Sequence, residues 1–397
     1  MTSPGRGDPP VDERELREAL RAGPEDAAAR ERSWRVVQAA FAEREPRPRR
    51  RPRALVAVAA VLVPVVVAGV AVGAPRWVRD AFEPGSERAR PALVRVPGGG
   101  SLLVQSGGST WVVSPGGARR RLGAFAGASW SPRGLYVVAW RGRDLTALEP
   151  GGAVRWSLSA PARVSHAAWA PGDGFRIGYV AGGALRIVNG DGTGDRRYAP
   201  ARGVTPAWQP GAPHVLAYID RRERMNLVAV DSGRRLWRSP RLRGVSQLAW
   251  TPGGRRLLAA GGDQIHRLDP RRRVTTSVIA DWVPGAATRI EHLAVAPRTG
   301  RVALVRAADS GRREVRLELA RPRERLLFTA RGQLTGLAWS PDGRRLLVPW
   351  PDADQWIFLR PFGGGRPVAV ANIARQFAPG ATNPAFPDAV QWCCPAG

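Results

Sequence analysis

The sequence LAWSPDGRRLLVPW at residues 337–350 recurs, with variation, along most of the chain. Each copy starts with a short apolar stretch, continues through a proline and usually a glycine, and ends in a second apolar stretch. The clear copies are 128–140, 167–180, 206–219 and 248–261, and the weaker copies are LVRVPGGGSLLV at 93–104 and LAVAPRTGRVALVR at 293–306. Because repetition at a near-constant period is typical of folds assembled from one supersecondary unit, this repeat decides the fold.

We call the residue just before the turn of each copy its anchor, and the spacing between anchors gives the period of the repeat. The anchors are Val96, Trp130, Trp169, Trp208, Trp250, Val295 and Trp339, at spacings of 34, 39, 39, 42, 45 and 44 residues. The proline and glycine favour a turn between two strands, and further strand signals, such as LRIVNGDGTGDRRYAP at 185–200, follow the copies. Four short strands in about 40 residues form one blade of a β-propeller, so we predict an all-β propeller.

The seven anchors predict seven blades, with six or eight as alternatives. The segment DAVQWCC at 388–394 reads as another first strand that stops at its turn. It either completes the blade begun near residue 101, in place of 93–97, or forms a tail. Its pairing therefore determines how the ring closes.

The repeat residues have a structural interpretation. A large side chain at one fixed position per blade fills the wedge between neighbouring sheets, and stacking on a ligand is the alternative. The residues assigned to this structural role are Trp130, Trp169, Trp208, Trp250 and Trp339, with Pro341 and Gly343 of the turn.

The turn Trp-Ser-Pro-Asp-Gly at 339–343, with its variants at 130–134 and 250–254, resembles the repeat of TolB-type and WD-like β-propellers. The resemblance covers about residues 91–392. The chain lacks the Gly-His and Trp-Asp dipeptides of eukaryotic WD repeats, so the resemblance is nearer to the bacterial TolB type. It indicates the fold and little about function, because propellers have many functions.

An uncharged stretch, ALVAVAAVLVPVVVAGVAVGA, occupies residues 54–74. As a helix it is just long enough to cross a bilayer core of about 30 Å, and a cleaved signal peptide is the competing interpretation. Arginines crowd residues 44–53, which predicts that this side stays in the cytoplasm. We therefore predict a cytoplasmic helical segment at 1–53, a transmembrane helix at 54–74, a stalk at 75–90 and an extracytoplasmic propeller at 91–397.

The charge of the chain lies mostly in the predicted outer part. All 61 basic residues are arginine, and the formal net charge is +28, of which residues 1–53 supply +3 and residues 75–397 supply +25. Such a domain attracts polyanions, with an affinity that falls as salt rises. We expect its partner to be an extracytoplasmic protein or a polyanionic ligand, and the predicted topology argues against specific nucleic-acid binding.

The first 53 residues read as two short amphipathic helices. Their apolar faces carry Leu16 and Leu20 on the first helix and Trp34, Val37 and Phe41 on the second. The layout of cytoplasmic helices, one span and an outer domain is similar to transmembrane anti-sigma factors, although the zinc-binding His and Cys pattern of many of them is absent. It implies that this face binds a sigma factor, and contact with lipid headgroups is the alternative.

The sequence contains no recognised catalytic motif. It has no Gly-x-Ser-x-Gly elbow, no His-Glu-x-x-His and no lysine for a phosphate loop, so we expect neither an enzyme nor a cofactor, and an enzyme with an unrecognised site is an alternative. Residues 189–195 resemble the start of a calcium loop, but Pro200 stands where a Glu ligand is needed. Cys393 and Cys394 leave three states open, namely a vicinal disulfide, an intermolecular bridge or two thiols.

Overall fold

The computed structural model describes residues 92–394, except for 173–174, 213, 280–287, 309–310, 319–323 and 364–365. The predicted cytoplasmic segment, with its candidate partner face, the predicted transmembrane helix at 54–74 and the stalk lie outside the described residues. Within the described part, no helix is both long and apolar enough to cross a membrane.

Seven four-stranded antiparallel sheets form the structure, so the prediction of an all-β propeller with seven blades is confirmed. Each blade below is given from its innermost to its outermost strand. Blade 1 consists of β28 (Ala389–Cys393), β1 (Ser101–Ser106), β2 (Ser109–Val113) and β3 (Arg119–Gly123). Blade 2 consists of β4 (Gly127–Trp130), β5 (Val137–Arg141), β6 (Asp144–Leu148) and β7 (Val154–Ser159). Blade 3 consists of β8 (Val164–Trp169), β9 (Arg176–Ala181), β10 (Ala184–Asn189) and β11 (Arg196–Pro200).

The remaining four blades repeat this order. Blade 4 consists of β12 (Ala207–Trp208), β13 (Val215–Ile219), β14 (Arg224–Ala229) and β15 (Arg234–Arg241). Blade 5 consists of β16 (Gln247–Trp250), β17 (Leu257–Gly261), β18 (Gln264–Asp269) and β19 (Val274–Ile279). Blade 6 consists of β20 (Thr288–Val295), β21 (Val302–Ala308), β22 (Arg312–Glu318) and β23 (Glu324–Arg331). Blade 7 consists of β24 (Ala338–Trp339), β25 (Leu346–Trp350), β26 (Gln355–Leu359) and β27 (Val368–Ala371).

Two short helices lie in the connections of blade 7. A 3-10 helix, Pro351–Ala353, joins β25 to β26, and α1 (Ile373–Phe377) follows β27. Ile373 and Phe377 of α1 are buried against residues of blades 1 and 7, so this helix fills the gap where the ring closes.

The second strand of each blade is mostly apolar because both of its faces are buried, and Arg306 of β21 is a buried exception. In β17, Leu257 and Ala259 pack against blade 4, whereas Leu258 and Ala260 pack against Leu304 and its neighbours in blade 6. A strand with two buried faces shows a continuous apolar run instead of alternation. This packing explains the LLAAG pattern of the repeat.

The ring closes through β28, which pairs with β1 in antiparallel register, with Trp392 opposite Leu102. The segment 388–394 therefore completes the blade that begins at residue 101, one of the two predicted roles. Val96 is not an anchor, since residues 93–97 form no strand and the Val96 amide donates to Pro115 O at 3.0 Å. Trp392 takes the seventh anchor position, because it pairs with the second strand as the other anchors do.

Both ends of the ring are defined by the strand order. The innermost strands of successive blades contact one another. The indoles of Trp208, Trp250 and Trp339 each bond the carbonyl of the residue just before the anchor position of the preceding blade, so the anchors lie at the same end of the ring. One end, which we call the repeat-turn face, carries the turns that follow the anchors, the turns between third and outermost strands, and the segment 92–100. The other end, the opposite face, carries the remaining connections.

Candidate functional site

The anchor tryptophans lie between blades. The indole N–H groups of Trp208, Trp250 and Trp339 donate to backbone carbonyls on the innermost strand of the preceding blade, at 3.0–3.1 Å. These three side chains and Trp130 are buried, and half-buried Trp169 stacks on Tyr136 with ring centroids 6.3 Å apart. The buried rings are covered by protein atoms, and ligand contact at the repeat must involve other residues.

The repeat turn at 340–345 holds its arginines by a closed hydrogen-bond network. Gly343 has a φ of 69°, a conformation that favours glycine, and its amide donates to Ser340 O at 2.8 Å. Ser340 Oγ donates to Asp342 Oδ1 at 2.5 Å and accepts from the Arg345 amide at 2.9 Å, and Pro341 lies within the turn. The turn therefore fixes the backbone from which Arg344 and Arg345 project.

Charge is distributed unequally between the two faces. In the described turns of the repeat-turn face, the arginines are Arg95, Arg133, Arg255, Arg256, Arg271, Arg272, Arg273, Arg298, Arg301, Arg344, Arg345, Arg360 and Arg366. The acids there are Glu149, Asp191, Asp195, Asp231 and Asp342. The described connections of the opposite face are nearly balanced, with Arg143, Arg163, Arg202, Arg221, Arg222, Arg243 and Arg375 against Asp220, Glu223, Asp263, Asp352, Asp354 and Asp388. The positive charge of the connections is therefore concentrated on one face.

Exposed large apolar side chains, like the excess of arginine, are concentrated on the repeat-turn face. The large apolar residues that are exposed in the described part are Val94, Leu135, Val154, Phe175, Val274 and Phe362, and all of them lie in or directly beside turns of the repeat-turn face. Phe175 is 69% exposed and has a φ of 38°, which is unfavourable for a bulky residue. Arginine and aromatic residues together are enriched at binding interfaces, so this face is the candidate site. The sequence motifs did not reveal Phe175 or Phe362, because neither belongs to the repeated pattern.

The innermost strands carry two histidines, His166 on β8 and His292 on β20. Burial lowers the pKa of His166, and it also lowers the pKa of His292, where the charge of Glu291 opposes it. Within the part of the chain that the structure describes, no three His, Cys, Asp or Glu side chains are grouped as metal ligands.

The segment that resembles a calcium loop is a hydrogen-bonded turn. Asp191 Oδ1 accepts bonds from the amide and hydroxyl of Thr193, at 2.9 and 2.7 Å. Asp195 pairs with Arg186 at 2.6 Å and accepts from Tyr179 Oη at 2.7 Å. The carboxylates are thus engaged within the protein, as expected of a polar turn between outer strands.

Cys393 and Cys394 are joined in a vicinal disulfide, one of the three states left open by the sequence. It lies at the end of β28, and an added Cβ on Gly134 would come within 2.8 Å of Cys394 Sγ. Gly134 thus allows the repeat turn of blade 2 to pack against the disulfide that ends the closing strand.

Comparison with known proteins gives matches only among solved structures, since no protein-family model and no curated protein matches the chain. A chain of the Mitotic Checkpoint Complex is 15% identical, with a TM-score of 0.54, and the match covers 70% of this chain and 94% of that one. Hsv2 of Kluyvelomyces marxianus is 11% identical, with a TM-score of 0.50 and coverage of 68% and 93%. The β-propeller domain of Myceliophteria thermophila Cps50 (Swd1) is 14% identical, with a TM-score of 0.49 and coverage of 62% and 86%.

The chain is a seven-bladed β-propeller with WD40-like structural neighbours. At these identities the likeness concerns the fold alone. A propeller fold suits a binding or interaction module, and the choice of ligand must be argued from the surface of this chain.

Proposed function

We propose that the protein is a membrane-anchored β-propeller whose outer domain binds a polyanionic partner on the repeat-turn face and catalyses no reaction. The observation that carries this proposal is the coincidence, on one face, of excess arginine and all the described exposed large apolar side chains. Guanidinium groups bind carboxylate and phosphate oxygens through paired hydrogen bonds, and the apolar side chains add contact area. A partner rich in anionic groups matches this surface.

The anchoring part of the proposal rests on the sequence. The uncharged stretch 54–74 has the length of a membrane span, and the arginines before it favour a cytoplasmic N-terminus. The disulfide at Cys393 and Cys394 agrees with this orientation, because disulfides persist mainly in oxidising compartments. The TolB-type resemblance of the turn at 339–343 supports an envelope protein.

A signalling role of the anti-sigma type is the second candidate. It is favoured by the apolar stripe of Trp34, Val37 and Phe41 in the predicted cytoplasmic segment, which has to find a partner. The two roles are compatible, because binding on the outer domain would be the signal that the cytoplasmic helices report.

The proposed orientation, with the N-terminus in the cytoplasm and the propeller outside, can be tested by protease digestion. When protease is added to intact cells that express the full chain, we expect the propeller to become accessible and the residues before 54 to stay protected. Alkaline carbonate should leave the full chain in the membrane fraction, since a spanning helix holds it there. A carboxyl-terminal part that is spared in intact cells but cut after lysis contradicts the orientation.

If the repeat-turn face binds the polyanion, replacing its arginines by an uncharged residue should weaken binding more than the same replacement on the opposite face. Replacing Arg255, Arg272 and Arg344 by Gln should raise the Kd of long-chain polyphosphate about tenfold or more and weaken its salt dependence, because fewer counterions are released on binding. The measurement is a titration of the purified full chain in non-ionic detergent at several salt concentrations.

The matched control removes the same charge from the opposite face, by replacing exposed Arg163, Arg222 and Arg243 with Gln. It should leave the Kd within about twofold, since charges beyond about 10 Å are screened at physiological salt. Equal losses in both triple variants would mean that the attraction comes from net charge alone, which would overturn the assignment of the face.

A further inference from the structure

Where blades 6 and 7 meet on the repeat-turn face, the stacked rings of Trp339 and Phe362 contact the side chain of Arg301. The ring of Phe362 stacks on Trp339, with centroids 6.2 Å apart and an angle of 11° between the planes. Arg301 Cζ lies 5.1 Å from the centroid of Phe362, within cation–π distance. Since Trp339 is itself fixed by its bond to Ala294 O at 3.1 Å, the Arg301 guanidinium lies on a rigid support.

A second arginine, Arg325, is directed toward the same gap. Arg325 is opposite Leu317 in the register of blade 6, and Leu317 is opposite Ala303, which lies two residues after Arg301. Ala303 and Leu317 are buried in the cluster that contains Trp339. Arg325 therefore lies on the side of blade 6 that faces blade 7, because directly opposite residues of paired strands share a face. Arg301 lies on the same side, since it contacts Phe362 in the connection between β26 and β27 of blade 7.

Neither guanidinium group forms an ion pair with any residue that the structure describes. Among the described residues, no carboxylate lies within ion-pair distance of either group, and Arg325 Nε is buried without a hydrogen-bond partner. Burial lowers the pKa of Arg325, and the positive charge of Arg301 lowers it further. An unpaired N–H and two like charges in one gap are relieved by a single bound anion.

A second pair of arginines, Arg345 and Arg360, lies on the other side of blade 7, and this pair does have a carboxylate nearby. Arg345 is affected by burial and by Arg360, which lower its pKa, but Asp342 opposes them. Of these two pairs, Arg301 and Arg325 have no nearby acid among the described residues, so they should attract an anion more strongly than Arg345 and Arg360 do.

We propose that Arg301, which lies over the Phe362 ring, and Arg325 together bind a phosphoryl dianion of the phosphate or phosphomonoester class. A tetrahedral dianion neutralises both guanidinium groups at once and accepts the forked hydrogen bonds of each, whereas a carboxylate supplies one charge. The inference rests on the proposed function, because it names the ligand class and the residues of one site on the repeat-turn face.

The test is calorimetric titration of the full chain, in non-ionic detergent, with inorganic tripolyphosphate. Arg301→Gln and Arg325→Gln should each raise the Kd about tenfold or more, the value of one lost charge-assisted hydrogen-bond pair. Phe362→Leu keeps both charges and removes the aromatic support of Arg301, so it should raise the Kd about two- to fivefold. The control pair Arg222→Gln and Arg243→Gln, on the opposite face, should bind as the wild type does.

A comparison of inorganic phosphate at pH 6 and pH 8 tests the charge of the ligand. Binding should be tighter at pH 8, where phosphate is mostly the dianion, whereas sulfate, a dianion at both values, should change little. Vesicles that contain phosphatidic acid identify the source of the ligand, since binding to them and not to soluble phosphate assigns the site to a lipid headgroup.

The outcomes separate this inference from the proposed function. If Arg301→Gln and Arg325→Gln bind tripolyphosphate as tightly as the wild type while the Arg255/Arg272/Arg344 variant loses polyphosphate, the site is overturned and the face stands. If the wild type binds neither tripolyphosphate nor polyphosphate, both are overturned. Unchanged melting temperatures of the variants show that a loss of binding is not a loss of folding.

Discussion

Removal of residues 388–397 from the full chain is expected to unfold the propeller. This truncation deletes β28, the innermost strand of blade 1, and leaves β1 with an unpaired edge at the axis. It also removes Trp392, whose ring packs edge-on against Phe358 with centroids 5.7 Å apart and whose indole N–H donates to Gly99 O at 2.8 Å. A half-buried tryptophan alone contributes about 2–3 kcal/mol.

The contacts of β28 extend to the next blade as well. Gln391 Nε2 donates to Ala128 O at 2.9 Å, so the closing strand also fixes the innermost strand of blade 2. Together with the lost strand pairing, the cost approaches the total of about 5–15 kcal/mol that stabilises an ordinary domain. We therefore expect the truncated chain to lack a cooperative thermal transition by circular dichroism and to be digested rapidly by dilute protease.

Two controls distinguish the loss of closure from the loss of chain length. Removing only 395–397 leaves β28 in place and should keep the wild-type melting temperature. Adding a peptide of residues 388–394 to the truncated chain should restore part of the protease resistance, because the peptide can pair with the exposed edge of β1. A truncated chain that melts like the wild type would show that the ring does not depend on its closing strand.

The fold was predictable because the repeat is strong. The anchor and its turn recur often enough to give the blade size, and the apolar stretch after the turn marks the doubly buried second strand, as in LLAAG. The closing strand was harder to place, because Trp392 is followed by Cys393 and Cys394 and not directly by the Ser-Pro of the best copies. Val96 has the proline and lacks the strand, so a local motif alone gave the wrong anchor.

The candidate site was less predictable. The arginine pairs after the repeat turn are visible in the sequence, but whether they share a face depends on which connections meet at one end of the ring. Phe362, Arg301 and Arg325 come together from two blades, and nothing in the sequence spacing indicates that Phe362 stacks on Trp339. The buried charges of blade 6 could not be predicted either, since the charge-rich sequence RREVRLE at Arg312–Glu318 is typical of a solvent-exposed strand.

Those charges form a network at the interface of blades 5 and 6. Arg306 is 3% exposed and its Nη2 donates to Glu324 Oε1 at 2.7 Å, while Arg316, 6% exposed, pairs with Glu314 at 2.8 Å. Among the described residues, the ion pairs of this interface are Arg306–Glu324, Arg316–Glu314 and Arg267–Glu318. The three arginines and three glutamates of these described pairs balance in charge, so removal of one member leaves an uncompensated charge in a desolvated site.

Replacement of Arg306 by Met is expected to lower the free energy of unfolding by about 3–5 kcal/mol, because Glu324 keeps its charge and loses its partner. The double variant Arg306→Met, Glu324→Leu should recover most of that loss, since a buried ion pair replaced by apolar side chains of similar volume is often neutral. The measurement is urea denaturation of the full chain, followed by tryptophan fluorescence.

The matched control is the exposed pair Arg155–Glu149, whose side chains are 56% and 35% exposed. Arg155→Met should change the free energy of unfolding by less than about 1 kcal/mol, because water screens that pair. If Arg306→Met is as mild as Arg155→Met, the interior of blade 6 is wet enough to solvate Glu324. If the double variant is no more stable than Arg306→Met alone, the cost comes from lost packing of the arginine stem and not from the stranded carboxylate, since only the latter is removed by the second substitution.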